Sequence, residues 1–526
     1  MIMIRHNTRY YATHRGTVQR RAFNTVHSPF TGASNKTSLQ NWFVPSADAD
    51  TETLLSLPIL RDRSRDLIRN APAATGAQKT MVDGVIGSGL RFQPAIDKDF
   101  LNISDEQAIE WQDKTLQEFR LWSENPDCDF MRQLDWGGLQ RLAYSEKFSN
   151  GDNFALLRTK HRPMMPYDLR IQLVEAARIT NKDDLPDNDK MRAGIKYDNN
   201  GIPTAVYIRN TTPGTVFLSA SNFKPTWEEV PFYGKTGRRN ILHIYDKNRI
   251  GQSRGFPALA PIIDIVKQLS KFGEAELQAA VINAMLSVFV KRPLEDSLGV
   301  KIDYYHDRNN NPVTPPWEDP DNKQMLGNGT WVDFAPGDDP KVVESVRPSA
   351  QFDPFFLACI KQIGMAIGIP FEILIKHFSS SYSASRAALL EFFKTIMIER
   401  NNFIAQFCQP IYNEWLTEAV LKGRIKAPGF LTDPMIRLSY SGAYFIGEGI
   451  PQIDKLKEAN AAITLIEGGL STKQIEAGKL TGMDYRDIIK AQAEEKRLAE
   501  EHGLPYLSKS RVLPDDKERI EEEKDE

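Results

Sequence analysis

Four stretches of the 526-residue chain carry side chains that could do chemistry. Gly234-Lys235-Thr236 is the second half of a phosphate-binding loop, in which backbone N–H groups wrap a phosphate and the lysine neutralises it. The full pattern needs a glycine five residues ahead of Gly234; Glu229 stands there, so the segment reads as a hairpin tip. Asp198-Asn199-Asn200 looks like a piece of a calcium loop but lacks the fixed acidic positions, and Asn200-Gly201 reads instead as the turn of a hairpin over IKYDNNGIPTAVYIRN. Arg61, Arg63 and Arg65 alternate with Asp62 and Asp66, which suggests a phosphate site but fits better a salt-bridged solvated face or a contact between subunits. Asp338, Asp339 and Glu344 could hold a divalent ion only if separate loops gathered them with further ligands.

No nucleophile elbow, HExxH or zinc-deaminase pattern occurs. Cys128, Cys359 and Cys408 are far apart, without a CxxC or a histidine at metal-ligand spacing, and read as small buried hydrophobes in a reducing compartment. The sequence thus predicts no catalytic, cofactor-binding or metal residues. A metal-dependent nucleic-acid-processing enzyme remains the alternative, since carboxylates can be gathered from distant loops.

The elements that would position any site follow from periodicity. A helix period runs from Ala258 to Val288, with apolar residues at Leu259, Ile262, Ile263, Val266, Leu269, Gly273, Leu277, Ala280, Val281 and Ala284 and with Pro261 in the first turn, where its missing N–H costs nothing. The opposite stripe is Asp264, Lys267, Lys271, Glu274 and Gln278, so one face packs and one meets water or a neighbour. Upstream, helices are expected over 49–70 and after Pro72, then over 106–123 and 134–148, with strands at LRFQP, at GDNFALLRTK and over 168–179. Downstream, about 55 residues rich in Pro, Gly, Asn and Asp contain strand-like VKIDYY and GTWVDF. A helix over 352–369 then stops at Pro370. A Ser-rich loop, Lys376, His377, Ser379, Ser380, Ser381, Tyr382 and Ser383, precedes a helix to about Lys422 with a kink at Pro410. Residues 425–440 read as loop and strand, and 453–502 as three helices parted at Gly468-Gly469 and Gly482.

Charge narrows the function. The whole chain carries −3; with the +6 of residues 1–45 and the −5 of residues 515–526 set aside, the body is at −4. A groove that grips nucleic acid is usually basic, because each neutralised phosphate releases counterions, so DNA would pass this protein rather than be held by it. The most apolar run, Leu277 to Val290, is too short for a membrane span and contains Gln278 and Asn283. The acid-free arm reads as extended, though its make-up also fits a mitochondrial transit peptide.

Several separated motifs in one order resemble the portal proteins of tailed bacteriophages, lambda-type branch: RDRSRDLIRNAPAATGA, VIGSGLRFQP, a His243-containing strand, GQSRG with its AELQAA helix, SYSASRAALLEFFKT and LKEANAAITLIEGGLS. The resemblance implies an α+β, predominantly α-helical fold of portal architecture forming a ring with a central channel. It assigns 1–50 to a basic arm lying over a neighbouring subunit, 51–255 to the first part of the wing, 256–290 to stem helix 1, 291–349 to a small mixed α/β clip, 350–372 to stem helix 2, 373–384 to a tunnel loop, 385–440 to a long kinked helix with the rest of the wing, 441–505 to a helical crown and 506–526 to an acidic tail. Asp338, Asp339 and Glu344 are then rim charges of the clip. The implied function is a DNA conduit at one capsid vertex for genome packaging, retention and ejection, without bond chemistry or cofactor. The implied partners are a homo-oligomeric ring of about twelve copies, double-stranded DNA in the channel, the terminase large subunit, the major capsid protein and a head-tail adaptor, with no membrane, in virions assembled in the bacterial host cytoplasm. Lys376 and His377 would touch passing phosphates; the competing reading of that loop is a plain linker.

Overall fold

Periodicity in the first third of the chain resolves, in a computed structural model, into the helices Leu57–Asn70, Pro72–Val85, Asp105–Ser123 and Trp136–Asn150. The structure describes residues 42, 46–213, 225–284, 288–291, 339–342, 352–378, 381–449, 455–481 and 485–503. The helix expected over 49–70 is broken at residues 54–56, and the next three begin at local signals. Pro72 occupies the first turn of its helix, Ser104 and Gln107 form a reciprocal capping box, and the Asp135 carboxylate accepts the Gly138 N–H at 2.7 Å. Short Ala49–Thr53 precedes them, separated from Leu57–Asn70 by a three-residue turn.

The strand Asp152–Thr159 is central. It pairs antiparallel with Leu169–Val174 on one side and Ile241–Tyr245 on the other. Alternate side chains serve two cores: Ala155 and Leu157 join the main one, while Phe154 and Leu156 face a smaller one with Val174, Ile179, Ile195, Val206, Ile208 and Val230. The second sheet over that smaller core is Met191–Arg192, Ile195–Tyr197, Pro203–Arg209 and Trp227–Pro231. The expected hairpin turn is there: Gly201 has φ 76°, and the Asp198 carboxylate accepts the N–H groups of Asn200 and Ile202, each at 2.8 Å. Asp198 is thus a turn former, as its neighbours suggested. Gly234-Lys235-Thr236 does form a hairpin tip, closed by Gly234 N–H to Arg238 O at 2.7 Å. Trp227–Pro231 corrects the expectation of loop across 211–240; its pairing partner lies some twenty residues upstream and leaves no local signature.

The main core joins the early helices to residues 403–445. Phe119, Trp122, Trp136, Phe403, Phe407, Tyr412 and Trp415 pack in it, and Arg91–Pro94 pairs with Ala443–Ile446. The helix Tyr382–Phe403 continues into Gln409–Leu421 through a π turn at Ile404–Cys408, in which the Gln409 N–H reaches back to Ile404 O. Where a kink was expected at Pro410 the chain has this turn just ahead of the proline, which supplies no N–H to the carbonyl four residues back. Residues 425–440 are loop and then a helix, Pro434–Tyr440, rather than strand, because Asp433 accepts the N–H groups of Met435 and Ile436 and Pro434 sits in the first turn. The strand comes later, at Ala443–Ile446.

The long helix is Ile263–Ala284, entered through a 3-10 turn at Ala260–Ile262. It ends before Val288, where β-branched and aromatic residues form the strand Val288–Lys291, paired with Asp339–Val342. The remaining expectations for 292–349, VKIDYY, GTWVDF, Asp338 and Glu344 among them, lie outside the described residues, as do residues 1–41 and 504–526. The helix Phe352–Ile367 packs on the long one, Phe352 stacked on Phe272 at 5.4 Å and Phe355 edge-on at 5.0 Å. Its further contact with the Ala260–Ile262 turn makes the pair antiparallel. Three helices, Lys455–Glu467, Lys473–Thr481 and Tyr485–Glu501, close the described chain. The fold is α+β and mainly helical.

Candidate functional site

Arg61 does not lie on a solvated face. With Leu57, Ser64 and Leu67 it forms the buried side of its helix, and its guanidinium meets Asp152 at 2.5 Å. This corrects the reading of RDRSRD, which holds only for its outer side, where Arg65 pairs with Asp62 (2.5 Å) and Glu175 (2.7 Å). Asp152 is fully buried and also receives Arg254, through Nε at 2.6 Å and Nη2 at 3.2 Å, and His243 Nε2 at 3.1 Å. Backbone oxygens take further guanidinium donors: Asn150 O from Arg61 at 2.8 Å, and Ala176 O, Ala193 O and Ile179 O from Arg254 at 2.9, 2.6 and 3.2 Å. Arg254 also lies over the Phe154 ring, and His243 is stacked between Phe154 (4.2 Å) and Tyr245 (4.0 Å).

Burial works against the Asp152 carboxylate, yet Arg254 and Arg61 hold its pKa well below the usual carboxylate range. Burial lowers Arg61 to about 10, still charged at neutral pH. Burial also lowers His243 despite the pull of Asp152, so the imidazole is neutral and donates Nε2–H to the carboxylate. A cluster whose guanidinium donors face the protein's own oxygens does not take up a phosphate. Its effect is mechanical: the turn Gly251–Gly255 is fastened to the helix Leu57–Asn70 and to the central strand immediately before the long helix departs. Gly255 is required there, since a Cβ would lie 2.1 Å from Gly151 O. Sequence reasoning picked out GQSRG as a motif without the role of Arg254, and missed Asp152. The available signal was an aspartate at the edge of an apolar strand, GDNFALL.

The stripe Asp264, Lys267, Lys271, Glu274 and Gln278 is exposed on one face of the long helix, with Val266 and Leu269 buried opposite. Part of it has partners in the chain: Asp264 accepts from Gln268 at 2.8 Å, and Lys267 Nζ lies 3.9 Å from Asp66. Leu277, expected to pack, is 67% exposed, against 5% for Leu269. Glu276, two turns beyond Leu269 on the same side of the helix, is still buried, and Leu277 lies about 80° round from that line, on a side that the described residues leave open.

Lys376 adopts φ 55° after the short helix Phe371–Leu374, and His377 N–H reaches Glu372 O at 3.0 Å. Both side chains are exposed, beside exposed Phe378. Ser379 and Ser380 lie outside the described residues. Ser381 is the N-cap of Tyr382–Phe403, its hydroxyl accepting from Ala384 N–H at 3.4 Å, and Tyr382 and Ser383 are already helical. Among the described residues no hydrogen bond or ion pair joins the stripe to the loop, and no group of three His, Cys, Asp or Glu is placed to hold a metal. Burial pushes the Cys128 thiol up to about 12 and raises Cys408 well above the usual thiol range, so neither is a ready thiolate. No described helix is long and apolar enough to cross a membrane.

The family model described as phage portal protein, lambda family, matches residues 35–400. Over 495 residues the chain is 25% identical to the portal protein of Escherichia phage N15, covering 89% of each. Over 490 residues it is 23% identical to portal protein B of Escherichia phage lambda, covering 89% of this chain and 88% of the other. Among solved structures, the neck of an empty gene transfer agent particle computed with C6 symmetry gives a TM-score of 0.43 at 13% identity, over 81% of this chain and 93% of that one. The neck of a native particle computed with C12 symmetry gives 0.41 at 11%, over 81% and 99%.

Proposed function

The chain belongs to the lambda family of phage portal proteins, and from that membership we propose that identical copies close into a ring through which double-stranded DNA enters and leaves the capsid. The family match across residues 35–400 carries this reading. Two different complementary faces on each copy allow the cycle to close, and the family resemblance implies about twelve copies. It sits at one vertex of the virion, contacts the major capsid protein, and presents its narrow end first to the terminase large subunit and later to a head-tail adaptor. The chain performs no bond chemistry itself.

Within the ring, the antiparallel helices Ile263–Ala284 and Phe352–Ile367 form the stem, and the exposed mixed-sign stripe faces the channel or a neighbouring stem. Lys376 and His377 line the channel. Isolated exposed charges in high dielectric hold a phosphate weakly, which suits a duplex that must slide. Exposure of both groups in the single chain supports this placement.

Imaging of the purified full chain tests the proposal. Closed rings with an axial hole are expected; monomers or open filaments at all concentrations overturn it. ATP hydrolysis or DNA cleavage with Mg²⁺ that survives repurification overturns the non-enzymatic part.

A further inference from the structure

Residues 47–53 lie against the turn that launches the long helix. Asp50 is buried, and both of its oxygens are used there: one accepts the Ser253 N–H at 2.7 Å, the other the Ser253 hydroxyl at 2.5 Å, with Arg192 at 3.2 Å from the latter. On either side of it, Glu52 pairs with Arg249, and the Ala47 carbonyl accepts from Arg249 Nη2 at 3.3 Å. Asp48 caps the short helix through Thr51 N–H at 2.6 Å, which fixes where Asp50 and Glu52 point. The turn's first half is held internally, Gln252 Oε1 accepting from the N–H groups of Asn248 and Arg249. Its second half is held from outside, by two carboxylates on adjacent residues: Asp50 on Ser253 and Asp152 on Arg254.

We infer that residues 47–53 are a clamp on the Gly251–Gly255 turn, with Asp50 the positioning residue that fixes the departure of the Ile263–Ala284 helix, and that this clamp is the limit to which the N-terminal arm can be shortened without loosening that helix. A carboxylate that binds both the N–H and the hydroxyl of one residue fixes that residue's backbone and its rotamer together. Its removal strands two buried donors, which drives local opening rather than a small loss of contact. Trp42, just ahead of the clamp, is exposed. The inference concerns one chain and stands or falls independently of the ring.

Hydrogen exchange on the full chain tests it, comparing residues 249–270 with residues 403–420 in the aromatic core. In Asp50→Ala, and in a chain lacking residues 1–53, exchange in 249–270 rises on the order of ten-fold while 403–420 is unchanged. Asp50→Asn gives a smaller rise, because its carbonyl oxygen can still accept the Ser253 N–H. A chain lacking only residues 1–45 matches the full chain. Three results overturn the inference: unchanged exchange in 249–270 for Asp50→Ala; a rise spread equally over both regions, as Leu416→Ala in the main core produces; or a 1–45 truncation as damaging as loss of 1–53. Should Asp50→Ala fail to fold, Ser253→Ala, which removes one hydroxyl, carries the same comparison of the two regions.

Discussion

Around Trp415 the chain buries Phe119, Tyr167, Phe403, Phe407 and Tyr412 almost completely, with Trp415 edge-on to Phe119 at 5.0 Å and tilted against Tyr167 at 5.3 Å. In the three helices from Lys455 to Glu501, among the described residues, only Ala462 and Glu476 are buried, while Leu456, Ile463, Leu465, Leu470, Ile475, Ile489 and Leu498 are exposed, Leu470 by 80%. Both regions are helical and both carry regular apolar spacing, so their secondary structure does not distinguish them. Their source of stability does. The first region supplies its own core. Among the described residues these helices of 9 to 17 residues bury no large apolar side chain, and helices of that length are marginal by themselves.

The comparison breaks most sharply at the buried charge. Asp152→Ala leaves Arg61 and Arg254 facing no carboxylate and costs about 3–5 kcal/mol in urea unfolding; a loss under about 1 kcal/mol would mean that water reaches the cluster. Trp415→Ala costs a similar about 3–5 kcal/mol, whereas Ile475→Ala stays within about 0.5 kcal/mol for the unassembled chain. Equal costs for these two would erase the distinction between the regions.

The long helix contains a similar contrast, between Leu269 and Leu277. Leu269→Asp buries a charge without a partner and costs about 3 kcal/mol or more. Leu277→Asp leaves the single chain folded and lowers the yield of assembled rings, read by sedimentation. If Leu277→Asp unfolds the chain as well, the face is covered from within.

A smaller effect follows pH. His243 binds its proton less readily folded than unfolded, so its contribution to stability is complete above the unfolded value near 6.5 and is lost as pH falls through the lower folded value. The slope reaches at most about 1.4 kcal/mol per pH unit. The Asp152 carboxylate, depressed in the fold, keeps its contribution down to the unfolded value near 3.9 and loses it only in stronger acid. Unfolding midpoints between pH 7 and 5 therefore fall in the native chain and fall less in His243→Phe; identical profiles would exclude the imidazole as the cause.

The smallest effect is at the loop. Lys376→Glu reduces genome retention more than Lys376→Ala, and salt narrows the gap by screening. Normal filled-head yield and DNA retention in both would mean a linker. Deletion of Ser379–Ser381, neutral for a free loop, now carries a modest folding cost of about 1 kcal/mol, because Ser381 is a helix cap.

Much of the fold was legible because helix and strand periods are local. Pro72 marked a helix start and Asn200-Gly201 marked its turn, while the caps Ser104 and Asp135 were passed over and their helices started at 106 and 134 instead. Arg61 was misread because charge pattern outweighed position: its spacing from Leu57, Ser64 and Leu67 points inward, but its partner Asp152 is 91 residues away, and only the fold brings them together. Trp227–Pro231 was lost for the same reason. At 434–440 the signal was local, Asp433 before Pro434, and the apolar run after it outweighed it. The proposed channel residues were legible as exposed and polar; what they face is a property of neighbouring copies, which one chain's sequence does not encode directly.

The π turn at Ile404–Cys408 acts as a phase setter. It holds one residue more than a straight helix needs, and each residue of an α-helix turns the chain by about 100°. Deleting one residue from this turn would leave Gln409–Leu421 seated in the core and swing the whole of Tyr382–Phe403 about its axis by roughly that angle. Arg400, now bonded to Val85 O at 2.9 Å and Gly84 O at 2.8 Å, would be carried off its seat. Five residues at Ile404–Cys408 thereby decide the compass bearing of a loop more than twenty residues away.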